Sequence, residues 1–247
     1  MSKTLYDQGF YSRQIDESLQ SAKIVAPLVM RLAKVSSVID VGCGLGGWLR
    51  AFSENGVSVL RGIDGSYVDT SNLYIPAECF TAVNLTEPIK TDEHFDLALC
   101  LEVAEHLPGR LSAQLVRGLT DLAPIVLFSA AVPGQGGTGH VNEQWPEYWR
   151  SLFEERDFAM LDPIRPLIRE DSRVKWWYRQ NIVMFANKAA ISANPALSQT
   201  SANGKSVEWV HVDMLRRAGV RNLLSHVKPA IRDAILKRVP LLNSRSR

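Results

Sequence analysis

The stretch Val38-Ile-Asp-Val-Gly-Cys-Gly-Leu-Gly-Gly47 decides the fold. An apolar run over 35–41 ends in glycines, as a buried strand does, and a helix follows over 46–55, closed by Gly56. Gly42 and Gly44 let the backbone turn tightly and come close to a ligand. The free N–H groups of the helix start offer donors to an anionic or carboxylate group. Gly42, Gly44 and Gly47 also fit G-x-G-x-x-G, and Asp64 stands where an acidic residue would take ribose hydroxyls. The glycine pattern by itself fits two cofactors.

Asp40 separates them. A carboxylate two residues before the first glycine would repel a pyrophosphate and suits a ligand carrying ammonium and sulfonium charges. That describes S-adenosylmethionine better than NAD. The alternative for Asp40 is a carboxylate capping the loop's own N–H groups.

Outward from this stretch, strands and helices alternate. A helix is expected over 15–34, 111–122 and 145–155, and strands over 57–64, 79–83, 95–101, 125–131, 158–161 and 182–186. Strands joined by helical crossovers make a mostly parallel sheet covered on both faces, a doubly wound α/β fold with seven strands. Such sheets bind ligands beyond the carboxyl ends of their strands. Function is therefore expected in the loops at 42–47, 64–68, 84–88, 102–107 and 130–145.

At this point the sequence resembles the class I S-adenosylmethionine-dependent methyltransferases, and the run from Phe128 to Trp149 looks like a bacterial branch of them, some relatives of which act on sugars or other small molecules. Asp40-Val-Gly-Cys-Gly-Leu-Gly is similar to their first motif and Gly62-Ile-Asp-Gly65 to the end of their second strand. Phe95-Asp-Leu-Ala-Leu-Cys-Leu-Glu-Val-Ala-Glu-His-Leu107 is similar to their fourth strand and its loop. The resemblance implies a Rossmann-like fold and S-adenosylmethionine as cofactor. It implies a cofactor set of Asp40, Gly42, Cys43, Gly44, Gly46, Asp64, Gly65, Asn84, Leu85, Leu101 and Glu102. Within it, Gly42 and Gly44 would lie near the methionine part and Asp64 on the ribose hydroxyls. Residues after the third strand would face the adenine. There Asn84 replaces the family's frequent acidic residue, and an amide oxygen can still accept from an adenine amino group.

Methyl transfer to a hydroxyl or ammonium also needs a base. His140, in a glycine-rich loop after the fifth strand, leads; Glu143 follows closely, and His106 is the second imidazole. The alternative for His140 is a histidine that pins the loop. No metal is assigned: His140, Glu143, His106, Glu105 and Asp162 could converge, but no ligand spacing is diagnostic. Trp145, Tyr148, Trp149 and the run Trp176-Trp177-Tyr178 suit either core packing or a sugar face. Arg165, Arg169, Arg173, Lys175 and Arg179 surround the second patch, as a solvated rim or a hold on an acceptor phosphate or carboxylate.

The net charge of +2 hides two unlike parts. Residues 188–247 hold 11 basic and three acidic residues, a net +8, which leaves −6 on 1–187. The expected organisation is a catalytic domain over 1–187, a flexible linker over 188–206 and a basic helical tail over 207–247. The tail suits docking on its own acidic body, a protein partner or an anionic membrane surface. Nucleic acid is disfavoured, because 220–247 contain no aromatic residues among the basic ones. Cys43, Cys79 and Cys100 form neither a disulfide framework nor a zinc site. No apolar stretch of signal-peptide or membrane-spanning type occurs, so a reduced, cytoplasmic or membrane-peripheral protein is expected. The leading expectation is O-methylation of a sugar or glycan precursor. An RNA methyltransferase gripping phosphates with the tail, or a cofactor-binding scaffold, are the alternatives.

Overall fold

The computed structural model describes residues 8–198 and 210–214, with side chains from Glu17 onward. Its strands are β1 (Ser37–Val41), β2 (Val59–Asp64), β3 (Phe80–Ala82), β4 (Leu97–Leu101), β5 (Ile125–Ser129), β6 (Phe158–Leu161) and β7 (Val183–Asn187). The helices are α1 (Gln8–Leu32), α2 (Gly47–Glu54), α3 (Ser112–Leu122), α4 (Pro146–Glu154), α5 (Arg165–Ile168), α6 (Trp176–Asn181), α7 (Lys188–Ala193) and α8 (Pro195–Ser198). All seven expected strands form, in the order β3-β2-β1-β4-β5-β7-β6. Six run in one direction, and β7 alone is reversed, pairing antiparallel with both β5 and β6.

The central strands β4 and β5 are apolar almost throughout because both faces are covered. Alternate side chains feed two cores, following the two-residue period of a strand. Val38, Leu97, Leu99, Leu127 and Met184 pack with α1 and α2, whose buried contributors include Val25, Val29, Leu49 and Phe52. Ile39, Ala98, Cys100, Phe128 and Phe185 pack with α3 and α4 through Leu115, Leu119, Trp149 and Phe153. Phe153 is fully buried and stacks on Phe185 with ring centroids 3.7 Å apart. Truncating a phenylalanine so placed costs roughly 3–5 kcal/mol.

Parallel strands put the segments after β1, β2, β4 and β5 along one edge. Because β7 is antiparallel, its start, preceded by Asn181 at the end of α6, joins the same edge.

The tail begins differently from the expected linker at 188–206. Residues 188–198 form α7 and α8, with the Asn187 side chain capping α7 by accepting from the Ala190 N–H at 2.8 Å. Leu197 is fully buried in the core beneath α1. The Ala/Ser/Asn-rich composition hid this, because short capped helices need only one or two buried anchors. Further on, 210–214 return to the body: the His211 N–H donates to Gln180 Oε1 at 2.7 Å, and Met214 is buried. The rest of the expected linker and tail, 199–209 and 215–247, lies outside the described residues. Among the described residues no helix is long and apolar enough to cross a membrane.

Candidate active site

The glycine loop is held over the end of β2. The Gly42 and Cys43 N–H groups both donate to the Ile63 carbonyl, at 2.8 and 3.2 Å. Gly42 has φ +84°, and a Cβ there would stand 2.3 Å from Val103 Cγ2. Gly44 has φ +52° and nothing within 4 Å of where its Cβ would be. That opening is a cradle into which a ligand can come close to backbone. Gly46 and Cys43 are buried, and Gly46 caps α2 in the left-handed conformation.

Asp64 closes the cradle from below. One oxygen accepts from the Gly44 N–H at 2.7 Å; the other accepts from the Gly65 N–H at 2.6 Å and from the Tyr67 hydroxyl. Asp40 is 2% exposed beneath the loop, and burial, followed by the Asp64 charge, pushes it up to about 7. Burial, then Asp40 and Asp64, also push the Cys43 thiol up, which makes it a packing residue and not a nucleophile. Two carboxylates under a glycine cradle fit a cationic ligand with hydroxyls to donate. Asn84 is exposed, and its side-chain oxygen accepts from the Thr86 N–H and hydroxyl at 3.1 and 2.8 Å. Leu85 packs against the second core.

The other half of the edge carries the charged groups. Glu102, immediately after β4, has φ +56°, a conformation that costs a non-glycine residue energy and recurs at functional sites. Its N–H donates to the Ser129 carbonyl and hydroxyl, and its carboxylate accepts from Asn181 and Gln135 amides, each at 3.0 Å. Gln180 extends this amide chain from Gln135 to the His211 backbone. Burial raises the Glu102 carboxyl despite these bonds. Glu105, one turn later, is fully buried; burial and then the Glu102 charge raise it strongly.

His140 arrives from the loop after β5. Its Nδ1 lies 3.0 Å from Glu143 Oε1, and Glu143 also accepts from the Gly134 and Gly136 N–H groups at 2.8 and 2.7 Å. The loop is pinned by other residues. Val141 and Asn142 N–H groups donate to the Glu105 carbonyl, and the buried Asn142 amide donates to Ala104 O and Ser112 Oγ. The His106 ring meets the His140 ring edge-on, centroids 4.9 Å apart. Crowding by surrounding protein, then His140, lower the His106 pKa although part of the side chain reaches solvent.

The three expected acceptor-side residues, His140, Glu143 and His106, are thus brought together, with Glu105 beside them. Asp162 is not; it pairs with the buried Arg165 at 2.8 Å. Arg173 and Lys175 pair with Asp171 and Glu17, and Arg179 with Asp213. Arg165 also donates to the Gln180 carbonyl, so these cations hold the protein's own structure together. Trp149, Trp176 and Tyr178 are buried, as core packing requires. Sequence reasoning missed Tyr67, Gln135, Gln180 and Asn181. The Gln180-Asn181 pair before a strand was the available signal, and it points to this edge only once β7 is known to be antiparallel.

A family model described as a methyltransferase domain matches residues 11–162. The chain belongs to this methyltransferase family. S-adenosylmethionine is its cofactor, as the cradle and its two carboxylates accommodate. The fold is shared with magnesium protoporphyrin IX methyltransferase of Synechocystis bound to S-adenosylhomocysteine: 17% identity, TM-score 0.54, 76% of this chain and 90% of that one. An amino pentose methyltransferase of Micromonospora echinaspora aligns at 13% identity and TM-score 0.52, over 76% of this chain and all of the other. A methyltransferase of Streptomyces caelestis aligns at 13% identity and TM-score 0.51, over 68% and 95%. No curated protein matches the sequence.

Proposed function

We propose that this methyltransferase transfers a methyl group to a hydroxyl of a small molecule, a sugar or glycan precursor. The observation that carries the reading is the His140–Glu143 pair at 3.0 Å, on the loop that faces the glycine cradle across the carboxyl edge. Bound cofactor supplies an activated methyl on a sulfonium. What remains for the protein is to bind, orient and deprotonate.

In this reading Asp64 takes the ribose hydroxyls, one of them replacing the Tyr67 hydroxyl that it accepts from now. Gly42 and Gly44 admit the methionine part, Asp40 answers its positive charge, and Leu85 and Asn84 border the base. Glu102, fixed by Asn181 and Gln135, lines the methyl-bearing region. Glu143 accepts the Nδ1 proton of His140, which leaves Nε2 with its lone pair toward an acceptor. As the hydroxyl oxygen bonds to the methyl carbon, the carbon–sulfur bond breaks and the hydroxyl proton passes to Nε2. Orientation supplies most of the acceleration, up to roughly 7–11 kcal/mol in favourable cases. The sugar class draws support from the amino pentose methyltransferase among the structural neighbours.

Incubation with methyl-labelled S-adenosylmethionine and a panel of sugars, nucleotide sugars and phenols tests the reading. The expected result is an O-methylated sugar product that is lost in His140→Ala. Label appearing only on nitrogen or on RNA would overturn it.

A further inference from the structure

The proposed proton transfer leaves one group unexplained. Glu105 is fully buried, and neither of its carboxylate oxygens has a hydrogen-bond partner. A buried carboxylate is costly, the more so beside Glu102; without a cation to answer it the group stays protonated, and a bound cation lets it ionise. Ligand atoms of Glu105, His106 and His140 all lie within 4.8 Å of one another. We propose that Glu105, His106 and His140 form a binding site for a divalent metal ion of the first transition row.

Ligand atoms around an ion with bonds near 2.1 Å stand roughly 3–4 Å apart, so about 1 Å of contraction closes the site. His106, partly in solvent, can supply it together with the side chain of His140, which follows Gly139. Two imidazoles with a carboxylate select Mn²⁺ through Zn²⁺ over Mg²⁺, which prefers oxygen ligands and retained water. Glu143 on His140 Nδ1 is the outer carboxylate that orients a ligating imidazole. Glu102, an electrostatic neighbour of both Glu105 and His140, adds negative charge beside the site. Three protein ligands leave positions open for an acceptor oxygen, as catalytic ions require.

This inference rests on the hydroxyl-acceptor reading for its chemical role. An ion-bound hydroxyl has a lowered pKa and gives its proton to solvent water. The oxygen then forms its bond to the methyl carbon as the carbon–sulfur bond breaks. With the ion present, His140 serves as a ligand and no longer as the base.

The full-length chain is stripped with EDTA and titrated with Co²⁺, followed by visible absorption and melting temperature. The expected result is a saturable band at one equivalent with a raised Tm. Affinity falls at least about tenfold in E105Q and in H140A, and is unchanged in D64A. Metal-free E105Q is expected to melt close to metal-free wild type, because an amide of the same shape replaces a buried carboxyl whose raised pKa keeps it protonated; this separates lost binding from lost folding. A stripped chain that binds S-adenosylmethionine but shows no saturable band overturns the ion site and leaves the methyltransferase reading intact. Equal Co²⁺ affinity in wild type, E105Q and H140A overturns it as well. A saturable band lost in both variants, in a chain that methylates no hydroxyl, upholds the ion site and removes the acceptor reading.

Discussion

The two halves of the carboxyl edge solve their electrostatics in opposite ways. Around the glycine loop, Asp64 is satisfied by two backbone N–H groups and a tyrosine hydroxyl. Across the edge, Glu102 is bound by amides while Glu105, fully buried, accepts nothing. The first half is a cradle complete in itself, shaped by local backbone. The second sets two carboxyls with raised pKa values close together and leaves the Glu105 oxygens outside the hydrogen-bond network.

The cradle can be broken most completely at Gly42. Gly42→Val places a branched side chain at φ +84° and against Val103, so loss of detectable S-adenosylmethionine binding by calorimetry is expected, with a lowered Tm. On the other side, His140→Ala leaves cofactor affinity within about twofold and lowers kcat by roughly 10²–10⁴. If Asp64 takes the ribose hydroxyls as proposed, Asp64→Ala lowers cofactor affinity about 10²-fold or more, read by calorimetry. Glu143→Gln keeps the shape but weakens the hold on His140 Nδ1, and lowers kcat about tenfold with KM little changed.

The smallest effect is a pH slope. Between 3.8 and about 7 the folded chain keeps a proton on Asp40 that the unfolded chain has released. Unfolding free energy therefore falls as pH rises through that window. Asp40→Asn should shrink this slope by up to one proton in thermal melts. A cationic cofactor favours ionised Asp40, so affinity should rise with pH and level off above about 7. Asp40→Asn removes that rise, and an unchanged pH profile would detach Asp40 from the cofactor's charge.

The cradle was legible because its parts are contiguous: strand, glycines and helix follow one another over 38–47, with Asp64 closing the next strand. The acceptor side was legible only as candidates. His106 and His140 are 34 residues apart, and nothing in their spacing set them ring to ring. Asp162 had equal standing with Glu105 in the sequence until Arg165 claimed it.

By itself the sequence determined the seven strands, the longer helices between them, the glycine cradle and the family, because periodicity and backbone demands are local properties. The tertiary structure decided which charged residues meet. It put Asn181 at the carboxyl edge by reversing β7, turned 188–198 from linker into packed helix, and left Glu105 buried without a partner. Those outcomes depend on burial and on contacts between distant segments, which set the energy of a charge only after the chain has folded around it.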